Sequence, residues 1–349
     1  MNSFRIIDAN INRACEGLRV LEDTARFVLN NNTLTEKLKT ARHNIRKLIS
    51  DNEKLIFSRD SLNDVGYEVS KKTDLDIKKN TEEIIYANFK RVQEALRVIE
   101  ENIKVENKEI SKKYEELRFR IYSLEKEYIG EYKKVSILKN IVQGIYCITA
   151  EEHSRGRSNV EVVKEMIESG IKIIQYREKE NKSILEKYME CLEIRKLTKE
   201  KDVIFIVNDN IDIAILVGAD GVHVGQDDLP VEQVRELIGE NMIIGLSTHS
   251  PEQAQAAVKS GADYIGVGPI FATKTKKNVC EPVGLEYLEY VVRNIDIPFV
   301  AIGGIKEHNI LEVIKKGTEC IAVVTEIVGA DKIGEKIKVL QEKINNKNI

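Results

Sequence analysis

The stretch IKIIQYREK, residues 171–179, begins apolar and ends in Gln175, Arg177 and Lys179, set two positions apart. In a strand, residues i, i+2 and i+4 point to one face. An amide, a guanidinium and an ammonium are therefore aimed together, and cations select an anion. Other apolar runs end in the same way. VIFIVND closes on Asn208 and Asp209, HVGQDD on Asp227 and Asp228, and IIGLSTH on Ser247, Thr248 and His249, while YIGVGPIF runs into Thr273, Thr275 and Lys276. Arg177, Lys179 and Lys276 supply three cations, and Asp209 and Asp228 two carboxylates. Carboxylates beside cations hold an anion poorly unless a divalent metal bridges them to it. Mg²⁺ takes one or two carboxylates, phosphate oxygens and water. The set therefore suits a diphosphate gripped by Mg²⁺ on one side and by Arg and Lys on the other. Stabilising the charge of a departing diphosphate would be the main catalytic device. A second anion site is suggested by AIGGI, where Gly303-Gly304 lets backbone approach closely and opens a helix, together with Val324-Thr325 at the end of the next strand. Two substrates follow, one with a diphosphate and one with a monophosphate.

These residues need a scaffold that brings many strand ends together. From residue 141, short apolar runs alternate with amphipathic segments: GIYCITA, IKIIQYREK, VIFIVND, GVHVGQ, IIGLSTH, YIGVGPIF, PFVAIGG and CIAVVTEI, separated by stretches such as VEVVKEMIES, SILEKYMECLEIRKLTKE and PEQAQAAVKS. Continuous apolar strands argue for a parallel sheet buried on both faces. Eight strand–helix units in about 205 residues predict an α/β fold, a C-terminal (β/α)8 TIM barrel, whose site lies at the C-terminal strand ends. A doubly wound sheet is the runner-up, but GIYCITAEEHSRGRS does not supply its GxGxxG turn.

Residues 1–130 read instead as a mainly α-helical domain. Ile11, Ala14, Leu18, Leu21 and Ala25 fall at helical spacing, Thr33 with Glu36 suggests a capping box for a helix through Leu48, and helical pattern resumes from about Thr81 past Glu100 and from Ser111 to Tyr128. The 53–76 segment reads as irregular, and 131–140 as a linker before a domain at 141–349. The half contains an internal repeat: DANINRACEGLRVLED from Asp8 recurs as YANFKRVQEALRVIEE from Tyr86, identical at eight of sixteen positions. Two similar helices packed about a pseudo-twofold axis are expected. The repeated polar pairs, Asn10/Asn88, Arg13/Arg91, Glu16/Glu94 and Arg19/Arg97, could line a phosphate cleft, form surface ion pairs or make a buried polar lock.

Blander readings stand beside the barrel assignments. Arg177 and Lys179 also suit salt-bridged rim positions, Asp228 a helix cap ahead of Pro230, and Gly303-Gly304 a plain tight turn. His223, inside a strand, reads as a packed core histidine rather than a base, and His249 stays open. The coincidence of seven polar strand ends favours the functional reading.

Apolar residues make up 42% and charged residues 32% of the chain, enough for a core and a solvated surface. Up to Gly130 there are 25 Lys/Arg against 23 Asp/Glu, and beyond it 29 against 34. Neither half is basic enough for a nucleic-acid partner. Five scattered cysteines without a CxxC pair suggest reduced thiols. The N-terminus lacks an apolar signal core and no run approaches a membrane span, so no membrane association and a cytoplasmic location are expected. Oligomeric state is left open, a homo-oligomer included.

At QYREK, NDN, ADGVHVGQDD, GLSTHS, ADYIGVGPIFATKTK and AIGGI, in order over about 205 residues, the chain resembles the thiamine-phosphate synthase family. The resemblance implies a TIM-barrel transferase joining 4-amino-2-methyl-5-hydroxymethylpyrimidine diphosphate to a (carboxy)thiazole phosphate, giving thiamine phosphate and pyrophosphate. It implies that Gln175, Arg177, Lys179, Asn208, Ser247 and Lys276 hold the pyrimidine diphosphate, with Lys276, Arg177 and Ser247 catalytic. Asp209 and Asp228 would bind Mg²⁺, and Thr273, Thr275, Gly304, Val324 and Thr325 the thiazole phosphate. The family usually carries Ser where Thr325 stands; the hydroxyl is kept and a methyl added. The FATKTKK loop would close over both substrates. DANINRACEGLRVLED, TARHNIRKL, the RDSLNDVG region and ANFKRVQEALRVIEEN resemble a hydroxymethylpyrimidine-phosphate kinase domain fused ahead of some synthases, which implies ATP as co-substrate. No GxxxxGK loop or HRD or DFG signature accompanies it. The alternatives are a monofunctional synthase with a dimerisation or regulatory N-terminal module, and a binding protein for phosphorylated thiamine precursors.

Overall fold

The computed structural model describes residues 3–49, 52–60, 77–141, 143–178, 182–273, 275 and 280–345. The chain divides into two compact units, Met1–Tyr132 and Lys133–Ile349.

The first unit is helical: α1 (Ser3–Phe27), α2 (Asn32–Lys47), α3 (Asn52–Phe57), α4 (Thr81–Ile103) and the start of α5 (Lys108–Ile141). Ile7, Ile11, Ala14, Leu18, Leu21 and Ala25 form the buried stripe of α1, and Ile85, Phe89, Val92, Leu96, Ile99 and Ile103 that of α4. These are the two copies of the repeat, and α1 packs more extensively on α4 than on any other element. Gly17 makes the close crossing possible: a Cβ there would lie 2.9 Å from Val92 Cγ2 and 3.2 Å from the Asn88 carbonyl. Helix α2 begins earlier than the Thr33 reading expected, because Asn31 Oδ1 accepts the Leu34 N–H at 3.0 Å. Residues 61–76, most of the segment read as irregular, lie outside the described residues.

The segment expected as a linker, 131–140, is instead the last part of α5, a continuous helix of 34 residues. Its charges hide an apolar stripe. Ile137, Leu138 and Ile141 join the core that fills the barrel interior, and Lys134 pairs with Asp263 at 2.7 Å.

In the second unit eight parallel strands close in sequence order: β1 (Gly144–Ile148), β2 (Ile173–Tyr176), β3 (Ile204–Asn208), β4 (Gly221–Val224), β5 (Ile243–Thr248), β6 (Tyr264–Val267), β7 (Phe299–Ala301) and β8 (Cys320–Val323). The predicted TIM barrel is thus present, with all eight predicted strands; β1 pairs β8 through Ile145 opposite Ile321. The period-two alternation of each strand splits its side chains between two cores. Tyr146, Ile148, Ile173, Ile204, Ile206, Ile243, Tyr264, Val300, Cys320 and Ala322 fill the interior. Alternate residues such as Cys147, Ile174, Phe205, Val222, Ile265 and Ile321 face the helices outside. The five cysteines are free thiols; burial pushes the Cys147, Cys191 and Cys320 thiols well up, so these three are not disposed to be thiolates. Among the described residues no helix is long and apolar enough to cross a membrane.

Candidate active site

The strand ends open into a cavity of about 580 Å³. Gln175, in the interior register of β2, and Arg177 two residues on both line it, as the spacing required. Arg177 is held by its backbone: its N–H donates to Thr149 Oγ1 at 2.9 Å, and that hydroxyl returns a bond to the Arg177 carbonyl. Its guanidinium forms no ion pair among the described residues, unlike the salt-bridged rim alternative. Asn208 and Asp209 from β3, Asp228 beyond β4 and Ser247 from β5 line the same cavity. So do Thr273, Thr275, Gly304, Val324 and Thr325, and also His249. Lys179 and Lys276 lie outside the described residues.

Local folding explains the two carboxylates. Asp209 has φ 59°, a left-handed turn directly after β3, and its N–H is tied to the His223 carbonyl at 2.9 Å. Asp228 does not cap the helix Val231–Ile238, whose N-cap is Pro230. Its Oδ2 accepts the Gly225 N–H at 2.6 Å, closing the turn that follows β4. Among the described residues no group of three or more His, Cys, Asp or Glu is gathered.

The second anion site has a braced backbone. Gly303 and Gly304 have φ 99° and 66°. A Cβ on Gly304 would meet the carbonyl oxygens of Ala272 and Phe271, both at 2.7 Å, so only glycine fits where the β6 and β7 loops touch. Asn309 Nδ2 donates to the Gly304 carbonyl at 3.0 Å and Asn309 Oδ1 accepts the Lys306 N–H. Contrary to the expectation from sequence, the diglycine does not itself open a helix; a turn intervenes and the helix begins at Ile310. Thr273 and Thr275 share a hydroxyl bond of 3.1 Å. Across the mouth, Thr325 starts a one-turn helix, Thr325–Val328. Arg157 anchors its far end by donating to the Val328 and Ala330 carbonyls, both at 2.7 Å.

Sequence reasoning missed the floor. Gln175 Nε2 donates to Tyr146 Oη at 2.9 Å, Tyr146 Oη meets Tyr264 Oη at 2.9 Å, Tyr264 Oη meets His223 Nδ1 at 3.0 Å, and His223 Nε2 meets Ser247 Oγ at 2.9 Å. His223 is a core residue as read, but a bonded one that lines the cavity. Burial pushes both tyrosine hydroxyls far above the usual phenol range, so they stay protonated. Gly245 makes room: a Cβ there would lie 2.2 Å from Tyr264 Cζ and 2.4 Å from His223 Nδ1. The signal was strand parity, since Tyr146 and Tyr264 share the interior register with the site residues of the other strands.

In the N-terminal unit the repeated pairs separate. Asn10, Arg13, Asn88, Arg91 and Glu94 line a groove of about 670 Å³ with Lys78 and Lys90. Arg19 and Arg97 do not: Arg19 pairs with Glu22 and Asp23, and Arg97 with Glu100 and Glu101. They sit six residues beyond Arg13 and Arg91, about two-thirds of a turn round the helix. Glu16 is exposed and outside the groove, although its repeat partner Glu94 lines it. The duplication also reaches further than the sequence reading saw. Glu22 is held by Arg42 of α2 at 3.0 Å and Glu100 by Arg118 of α5 at 3.0 Å. Two helical hairpins are therefore the repeated unit.

Fold and family together define a (β/α)8-barrel enzyme with a cavity at the C-terminal mouth, preceded in the chain by a duplicated helical unit. The family described as Thiamine monophosphate synthase matches residues 145–327, and the ThiD2 family matches residues 5–127. The chain belongs to the thiamine-phosphate synthase family, whose members are transferases of thiamine biosynthesis. A thiamine-phosphate synthase of Pelotomaculum thermopropionicum is 68% identical over 203 residues, covering 58% of this chain and 93% of that protein. One from Prochlorococcus marinus is 38% identical over 350 residues, covering 99% of this chain and 96% of the relative. Among solved structures, a thiamine phosphate pyrophosphorylase from Pyrococcus furiosus superposes with TM-score 0.55 at 38% identity, covering 61% of this chain and all of that one.

Proposed function

We propose that the barrel condenses hydroxymethylpyrimidine diphosphate with a thiazole phosphate and releases pyrophosphate. The observation that carries this reading is the convergence of Arg177, Asn208, Asp209, Asp228 and Ser247 with the Gly304–Thr325 anion site in one cavity. Asp209 and Asp228 fit Mg²⁺: two carboxylates, with no third ligand-type side chain grouped with them among the described residues, is the donor set of a cation that completes its shell with phosphate oxygens and water. When bound, Mg²⁺ would neutralise charge on the departing diphosphate. Arg177 grips that diphosphate from the β2 side. Gln175 and Ser247 face the pyrimidine ring from the floor, and Thr273, Thr275, Gly304, Val324 and Thr325 seat the thiazole phosphate. Holding the two substrates together replaces a bimolecular encounter by an oriented one. An electron-rich aminopyrimidine can carry the positive charge left on its methylene carbon, so no Ser or Cys nucleophile is needed. Purified protein given both substrates and Mg²⁺ should release pyrophosphate in step with thiamine phosphate; stoichiometric binding without turnover would leave only a binding protein.

For the N-terminal unit the favoured reading is phosphorylation of the pyrimidine monophosphate by ATP, with Mg²⁺, which would make the diphosphate the barrel consumes. The match to the ThiD2 family supports it, as does the contrast between the two repeated arginine pairs. Arg19 and Arg97 are committed to ion pairs, whereas Arg13 and Arg91 line the groove. Changing both to glutamine in the full chain is expected to lower ATP-dependent diphosphate formation by about 10²-fold, the scale for removing charge-assisted phosphate contacts. Synthase turnover with supplied diphosphate should be unchanged. Equal kinase rates in variant and wild type would move the site elsewhere. No kinase activity in the wild type would favour a dimerisation or regulatory module.

A further inference from the structure

The floor of the barrel carries a chain of four hydrogen bonds whose direction has chemical content. An amide nitrogen only donates. With Gln175 Nε2 donating to Tyr146 Oη, the Tyr146 proton goes to the hydroxyl of Tyr264. The Tyr264 proton must then go to His223 Nδ1. A neutral imidazole accepting at Nδ1 carries its proton on Nε2, which donates to Ser247 Oγ. Ser247, having accepted, turns its own proton into the cavity. At the other end, Gln175 Oε1 accepts no bond among the described residues and belongs to a cavity-lining side chain. An imidazolium at His223 would leave one hydroxyl proton of the chain without an acceptor.

We infer that Tyr146, Tyr264 and His223 are positioning residues that fix this direction of donation. The floor then offers one acceptor, Gln175 Oε1, and one donor, the Ser247 hydroxyl, and so selects an aminopyrimidine over its oxo counterpart. The inference rests on the reading that Gln175 and Ser247 face the pyrimidine ring. An exocyclic amino group donates and the adjacent ring nitrogen accepts, which complements the floor. The 4-oxo ring reverses both roles: its carbonyl is set against the Gln175 oxygen, acceptor against acceptor, and its ring N–H can be taken only by the second lone pair of Ser247 Oγ, which leaves the serine proton without the ring nitrogen it serves. Mismatches of this kind in a buried site leave polar groups unpaired. The glycine at position 245, which alone leaves room for the His223 and Tyr264 rings, is part of the same device.

The test has two parts. First, nitrogen-15 NMR of the histidine-labelled full chain, with the His223 signal identified from its loss in His223→Gln, should show a neutral ring protonated on Nε2. The reversed chain, with the Gln175 oxygen turned to Tyr146, would put the proton on Nδ1; that tautomer, or an imidazolium, overturns the inference whatever the barrel's substrate. Second, the amino- and oxopyrimidine monophosphates should be compared as competitive inhibitors of pyrophosphate release in wild type, Tyr146→Phe and Tyr264→Phe. Each variant breaks the chain while keeping the ring. The preference for the amino compound should fall on the order of tenfold or more, with the KM for thiazole phosphate unchanged. A preference that survives in both variants, or in Tyr146→Phe should Tyr264→Phe fail to fold, refutes the positioning role. Absence of competition by either inhibitor in an active wild type would instead remove the reading of the pyrimidine site.

Discussion

Replacing Asp209 by asparagine should lower kcat/KM of the synthase reaction by about 10²- to 10³-fold, the scale for losing one preorganised charge-stabilising group. The substitution is close to a pure charge deletion. Asp209 occupies the left-handed region, φ 59°, and asparagine tolerates that region as well as aspartate does. The backbone bond to the His223 carbonyl is unaffected. Thermal stability should therefore hold while the Mg²⁺ concentration for half-maximal rate rises at least about tenfold, since a divalent ion held by two carboxylates loses one of them. A magnesium titration of the variant decides the matter. Wild-type rates at limiting Mg²⁺ would show that Asp209 does not hold the ion.

Gly304→Ala is expected to act on the other substrate. The new methyl group would lie 2.7 Å from two backbone oxygens, those of Ala272 and Phe271, and backbone cannot swing aside like the end of a long side chain. The adjoining bonds, Phe271 N–H to the Gly303 carbonyl at 3.0 Å and Ile270 N–H to the Ile302 carbonyl at 2.9 Å, join the β6 and β7 loops. Alanine should push them apart and displace Thr273 and Thr275. Left-handed alanine adds a conformational cost of about 1–2 kcal/mol. The expected result is a rise of about 10²-fold in KM for the thiazole phosphate, the cost of displacing about two phosphate contacts, with a smaller change for the pyrimidine diphosphate. Steady-state kinetics with each substrate varied in turn would show it; equal KM values in variant and wild type would place the monophosphate elsewhere.

The barrel was legible because β strands advertise themselves twice, by apolar runs of strand length and by polar residues at one end. Gln175 and Arg177 could be read as a convergent pair because the strand period is short and strict. Tyr146 and Tyr264 could not, since their hydroxyls meet only when β1 and β6 face each other across a closed barrel, 118 residues apart. In the helical half, identity between repeats marked Arg13 and Arg19 alike. Only packing distinguishes a groove-lining arginine from one paired with Glu22. The Thr33 cap failed for a local reason, since Asn31 reaches the Leu34 N–H and sets the helix start two residues earlier. The 131–140 segment failed because charge concealed Ile137, Leu138 and Ile141.

That last stretch bears on how the enzyme can be divided. Sequence matching to the synthase family starts at residue 145, yet the hydrophobic stopper at the strands' N-terminal end is supplied by Ile137, Leu138 and Ile141. A polypeptide trimmed to Gly144 would leave the base of its cylinder open to water and strip Asp263 of its Lys134 counter-ion. Separating the two units cleanly therefore means cutting upstream of Lys133.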